Sequence, residues 1–176
     1  MRRRSSLPLL ASLFFAPAVT ACGGRAATDR YPDAGAGQLA ARLGGTQLLH
    51  SDARATYCRG DSILVIVAVT TRWTAGLALR GAFPVGTATS FTVGGSLVLV
   101  GSATAAFRAV TDSVEPALVG AGGSVRLEPG RQATGRFDVN VPAPDGRSPP
   151  RRILGAFRAL PTADTAATCS VMPRTP

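Results

Sequence analysis

His50 is the chain's one histidine, and no Gly-x-Ser-x-Gly elbow accompanies it. Serine hydrolysis needs a nucleophile, a base and an orienting carboxylate. His50 therefore reads as a solvated residue rather than a general base. Glu115, Glu128 and eight aspartates are the only carboxylate side chains. Glycoside cleavage needs two carboxyls about 5–9 Å apart. Asp138 instead lies on the polar side of an alternating run beside Arg136, the place of a cross-strand ion pair. Asp29 and Asp33 lack the spacing of a calcium loop, and there is no Cys-x-x-Cys. The abundant chemistry belongs to arginine. Seven of them lie between positions 126 and 158, opposed there by Glu128, Asp138 and Asp145. A guanidinium stays charged and grips carboxylate or phosphate through two parallel bonds. Arg136, Arg151, Arg152 and Arg158 are thus the candidate anion-binding residues, for an anionic glycan or lipid headgroup. The plainer alternative is a solvated face in a chain whose composition favours Arg, Ala and Gly. Trp73 beside Arg72 is either a sugar-stacking surface or a core edge. Arg59-Gly60-Asp61 spells an integrin-type tripeptide, but its place before an apolar run is that of a turn.

The N-terminal segment bears on where this chemistry takes place. Arg2, Arg3 and Arg4 precede an apolar stretch over residues 7–19, and small Ala21 precedes Cys22. These are the parts of a secretory signal. The stretch is shorter than the roughly 20 residues that cross a bilayer, and Pro8 and Pro17 interrupt it. Val19-Thr20-Ala21-Cys22 resembles the lipobox of bacterial lipoproteins, in which the cysteine is acylated and becomes the first mature residue. That resemblance implies a signal peptide over 1–21, a lipid on Cys22 and a protein held in the cell envelope. The same resemblance implies, from Gly23 in place of Asp, transfer to the outer membrane in a cell that has one. Two or more acyl chains anchor stably where one does not. Cleavage removes three arginines and no acid, so the formal charge falls from +9 to +6. Every basic residue is Arg. Export disfavours a nucleic-acid partner, and the basic balance suits an anionic lipid surface. With Cys22 taken, Cys58 and Cys169 are an even pair in an exported chain, where disulfides persist. Two cysteines alone do not make a metal site.

The elements that position these groups read as strands. Residues 22–36 are small, polar and aperiodic, a flexible tether. Residues 38–43 and 47–50 flank Gly44-Gly45 as a hairpin, with one helical turn through Ala40, Ala41 and Leu43 as the alternative, and 56–59 form a short strand. In residues 62–71, Ile63, Val65, Val67 and Val69 share one face while Leu64, Ile66 and Ala68 share the other. Apolar residues on both faces predict a central strand covered on both sides. Period-two runs follow at Leu77/Leu79, Leu97/Leu99, Phe107/Ala109, Val125/Leu127, Phe137/Val139/Val141 and Ile153/Gly155/Phe157. Gly and Pro clusters separate them. The spacing predicts a single all-β domain over 37–170, an antiparallel sandwich or barrel-like meander of roughly 8–10 short strands, with a tail at 171–176.

In order, the chain runs from the Cys22 motif through Gln38-Leu-Ala-Ala-Arg-Leu-Gly-Gly-Thr46, apolar strands and Gly122-Gly-Ser-Val-Arg-Leu127. It ends with Gly135-Arg-Phe137 and Gly155-Ala-Phe157. This resembles small, uncharacterised bacterial envelope lipoproteins with an all-β domain ending in paired Gly-x-Phe strands. The resemblance covers most of residues 37–160 and implies no activity. The expected role is a non-catalytic, lipid-anchored binding or scaffolding protein, with no cofactor and no metal. The alternative is a carrier of a small apolar ligand or lipid inside a hollow barrel, which needs some 300 Å³ of internal space.

Overall fold

Glycine and phenylalanine exchange places across two neighbouring strands, and this fixes the register of the sheet. The computed structural model describes residues 30–169 except 45, 95–96, 111–116 and 144–145. The leader, Cys22 and the tail beyond 169 lie outside the described residues. Eleven strands follow in chain order: β1 (Gln38–Leu43), β2 (Thr46–Cys58), β3 (Ile63–Val69), β4 (Trp73–Arg80), β5 (Thr89–Val93), β6 (Ser102–Ala109), β7 (Leu118–Val119), β8 (Gly122–Leu127), β9 (Ala133–Val141), β10 (Arg151–Leu160) and β11 (Thr162–Thr165). The described residues contain no helix. The all-β expectation holds, and a barrel is its form.

The sheet runs β1-β10-β9-β8-β5-β6-β4-β3-β2, and pairing of β1 with β2 closes it into nine strands. Neighbours are antiparallel except β5 and β6, which run parallel. β7 pairs with β6 at Ala106 and Phe107, below the end of β5, and so takes up an edge that β5 leaves. β11 lies parallel to β2. Closure depends on the length of β2. Its first half pairs with β1 and its second with β3. The predicted strand at 56–59 is the end of this longer one. The Gly44 turn has φ +54, open to glycine.

Alternation decides what faces inward. In β9, Ala133, Gly135, Phe137, Val139 and Val141 are buried while Arg136 and Asn140 are exposed. β9 and β10 place Gly135 opposite Phe157 and Gly155 opposite Phe137. A Cβ on Gly135 would stand 2.8 Å from Cζ of Phe157, and one on Gly155 would collide with the Cζ end of the Phe137 ring. Each ring therefore occupies the space its opposite glycine leaves empty. Phe137 also meets Phe107, with centroids 5.8 Å apart. These rings and the aliphatic residues of every barrel strand fill the midsection.

Two expectations are corrected. β3 is fully buried along one face only: Leu64, Ile66 and Ala68 point inward, whereas the other face opens along its length, from buried Ile63 through half-buried Val65 to Val67 and Val69 at 44% and 60% exposed. β3 is central in hydrogen bonding, but a barrel wall has solvent outside. The Leu97/Leu99 run is not a strand. Residues 97–101 form a turn between two parallel neighbours, and the chain must climb back along the barrel before β6 begins.

The packing predicts unequal glycine substitutions. Gly155→Ala should lower unfolding stability by about 1–3 kcal/mol through overpacking. Gly76→Ala, with nothing within 4 Å of the added methyl, should be neutral or slightly stabilising. Phe137→Ala should cost roughly 3–5 kcal/mol. Chemical denaturation of the three variants checks the order.

Candidate functional site

One barrel rim collects the ends of β2, β4 and β8 and the starts of β3, β6 and β9, because these strands alternate in direction around the sheet. β11 joins this rim although Thr-Ala-Asp-Thr has little to bury. Three restraints hold it. The parallel ladder pairs it with residues 55–58 of β2, extended by Arg59 N–H donating to the Thr165 carbonyl at 2.9 Å. The Cys58–Cys169 disulfide, with Cα atoms 5.6 Å apart, ties down the chain just beyond it; that spacing is normal for a disulfide. Arg59 grips Asp164 with a fork, Nε to Oδ1 at 2.8 Å and Nη2 to Oδ2 at 2.5 Å. The hydrogen bonds from Arg59 hold the Asp164 carboxyl below the usual carboxylate range. The same pairing raises Arg59.

Beside this clamp is an open cleft of about 250 Å³ lined by Tyr57, Phe83, Pro84, Arg131, Thr162 and Asp164. The Tyr57 and Phe83 rings lie 5.8 Å apart and tilted by 53°. An aromatic wall, a guanidinium, a hydroxyl and a carboxylate are recognition groups. They suit a single small moiety with a flat apolar side and polar edges. No residue pair here has the arrangement of a nucleophile and its base.

The four candidate arginines fall into two places rather than one. Arg136 and Arg158 line a cleft of about 290 Å³ with Tyr31, Asp33 and Glu128. There the Arg136 guanidinium lies 5.2 Å above the Tyr31 ring. Part of the expected tether, residues 31–34, thus rests on the outer wall of β9 and β10. Arg151 and Arg152 border another cleft beside the β1–β2 hairpin with Leu43, Thr46 and Leu48. Arg152 is forked onto Asp138, with Nε to Oδ1 at 2.8 Å and Nη2 to Oδ2 at 2.6 Å. Asp138 therefore does make a cross-strand pair, with β10 rather than with its neighbour Arg136.

His50 stands exposed on β2, opposite Ala40, and its Nε2 lies 3.0 Å from Gln38 Oε1. It is a solvated hairpin residue. Arg59-Gly60-Asp61 turns at the rim with Arg59 bound to Asp164, and a Cβ on Gly60 would meet Thr168 at 2.9 Å. Packing against the C-terminal segment accounts for this tripeptide. The sequence reading missed three things here. Asp61 sits with Cys58 and Cys169 in one group whose ligand atoms lie within 4.8 Å of one another; with the sulfurs joined to each other, they offer no thiolate. Asp164 stands in Thr-Ala-Asp-Thr, which carries no strand signal. Tyr57, Phe83 and Arg131 come together from three separate segments, and no local pattern links them. Trp73 is half-buried against the core, at its edge.

Comparison with family models, with curated proteins and with solved structures finds no match to this chain.

The clamp makes two predictions. Replacing Cys58 and Cys169 together by alanine should cost about 2–5 kcal/mol in a denaturant titration, and β11 should be the first strand to exchange its amides. A depressed carboxyl stabilises above its unfolded pKa, and that contribution is lost as pH falls through the folded value. The effect of Asp164→Asn on melting temperature should therefore be the same at pH 6 and pH 8 and disappear in acid. A difference between the two neutral pH values would refute the assignment.

Proposed function

We propose that this chain is a non-catalytic, lipid-anchored protein of a bacterial cell envelope, whose barrel is a rigid binding or scaffolding domain. The observation that carries the proposal is Val19-Thr20-Ala21-Cys22 behind three arginines and a short apolar run. Acylation of Cys22 and sorting to the outer membrane follow from it. The Cys58–Cys169 disulfide supports an oxidising compartment. The make-up of the described surface supports recognition over catalysis. Asp138 and Asp164 are each engaged by an arginine fork, and the one histidine makes a single exposed hydrogen bond to Gln38. Acid–base catalysis calls on groups tuned towards neutral pKa, whereas arginine serves recognition.

A binding or scaffolding role is favoured over carriage inside the barrel. Phe107, Phe137 and Phe157 are among the largest fully buried side chains, and they take up the midsection that an apolar cargo would need. Ligands are better accommodated on the outside. Arg136 and Arg158 bring two guanidiniums to the cleft at Tyr31, beside Asp33 and Glu128, and such planar forks suit an anionic glycan or lipid headgroup.

Mass spectrometry of the mature N-terminus tests the anchor. The expected species begins at Cys22 and carries lipid. An unmodified start at another residue, or membrane association unchanged in Cys22→Ala, refutes it. Arg136→Ser with Arg158→Ser should weaken binding to anionic glycan or vesicles, as should added salt.

A further inference from the structure

The turn before β6 carries Val98, Leu99 and Val100, which are 69%, 72% and 81% exposed. They are the three most exposed large apolar side chains among the described residues. Consecutive apolar residues at the tip of a turn are not a folding requirement, because nothing in the core needs them. Exposed apolar clusters of this kind mark interaction sites.

Part of the turn's backbone is bonded from within. The Arg80 guanidinium donates through Nη1 to the Leu97 carbonyl at 2.8 Å. The Leu99 carbonyl accepts from Ser102 twice, from N–H at 3.1 Å and from Oγ at 2.5 Å. Gly101 N–H donates to the Arg80 carbonyl at 2.8 Å. These bonds hold a small apolar point with a guanidinium at its base. Behind it, Val100 continues into an apolar cleft with Ala82, Pro84, Val85 and Phe91.

We infer that residues 98–100 insert into the headgroup–acyl boundary of a lipid bilayer, with Arg80 at the level of the phosphates. Size decides between this occupant and a second copy of the chain. Three side chains offer a few hundred Å² at most, while a stable protein interface needs about 800 Å² per partner. A bilayer receives a point of this size. Charge agrees, since the chain after cleavage carries a formal +6, from +9 less Arg2, Arg3 and Arg4, and anionic lipid attracts it. Reach agrees too, and here the inference rests on the proposed anchor. Eight residues lie between Cys22 and Tyr31 on the outer wall, so the link spans at most about 30 Å. A lipid on Cys22 holds the barrel within roughly its own length of the membrane, and the turn then supplies a second contact that fixes its orientation.

The test places a fluorophore at the tip. Leu99→Trp and, as a control at the opposite rim, Val119→Trp are each made in the full acylated chain. Both are reconstituted in phosphatidylethanolamine–phosphatidylglycerol vesicles with brominated acyl chains. Emission at position 99 should shift to the blue and be quenched beyond wild type, with no added quenching at 119. A second arm uses the mature-length chain carrying Cys22→Ser. Its residual binding to the same vesicles should fall roughly tenfold or more on Leu99→Asp. Unquenched emission at 99, or equal quenching at 99 and 119, overturns the inference. So does a concentration-dependent dimer that hides position 99 from lipid. An acylated chain with an unquenched tip defeats the turn and spares the anchor. An unacylated chain whose tip is quenched does the reverse.

Discussion

The exchange of Gly135 with Phe157 and Gly155 with Phe137 across β9 and β10 is the constraint on which the barrel depends. The interior must be filled by side chains from nine strands whose main chains cannot approach one another further. A phenylalanine on every inward position would overfill the space, and small residues alone would leave it empty. Two reciprocal glycine–ring pairs resolve this, each ring lying over the backbone of the opposite strand. They also lock register. A slip of one residue would turn both rings to solvent, and a slip of two would drive a ring against a side chain. Phe137 carries the constraint across the interior to Phe107 of β6.

A second dependence concerns the last strand. β11 has no apolar face to hold it, and its anchors are all chemically specific: a ladder, a disulfide and an arginine fork. The rim chemistry is a consequence. Without β11, Thr162 and Asp164 would not stand beside Tyr57 and Phe83, and the cleft there would have no polar wall. The residues that hold β11 in place are therefore the ones that give the cleft its polar wall.

Charge is managed outside the barrel. The core contains no buried polar or charged residue among those described. Arginines lie on the outer face, where Asp138 and Asp164 each meet a bidentate partner and Arg136 covers Tyr31. Such exposed pairs contribute little stability individually. Their effect is to hold planar guanidiniums at defined points on a rigid wall.

Much was legible in the sequence because it depends on period two alone. Alternation in residues 133–141 and 153–157 identified inward Phe137 and Phe157, and the same-face glycines gave the reason for their spacing. Gly44-Gly45 marked the hairpin, and elimination paired Cys58 with Cys169. What alternation cannot encode is the partner of each strand. Residues 62–71 are apolar on both faces, yet only closure into a barrel decided that one face meets solvent. Leu97 and Leu99 alternate like a strand, yet the parallel pairing of β5 with β6 made that stretch a returning turn. The rim cleft needed Tyr57, Phe83, Arg131 and Thr162 from segments far apart in the chain. By itself the sequence determined the lipobox-like spacing before Cys22, the strand periodicity and the excess of arginine over histidine, since these are local properties of residue type and spacing. The tertiary structure alone decided closure, the sites of the clefts and which apolar residues stay exposed, since these follow from hydrogen bonds between strands far apart in the chain.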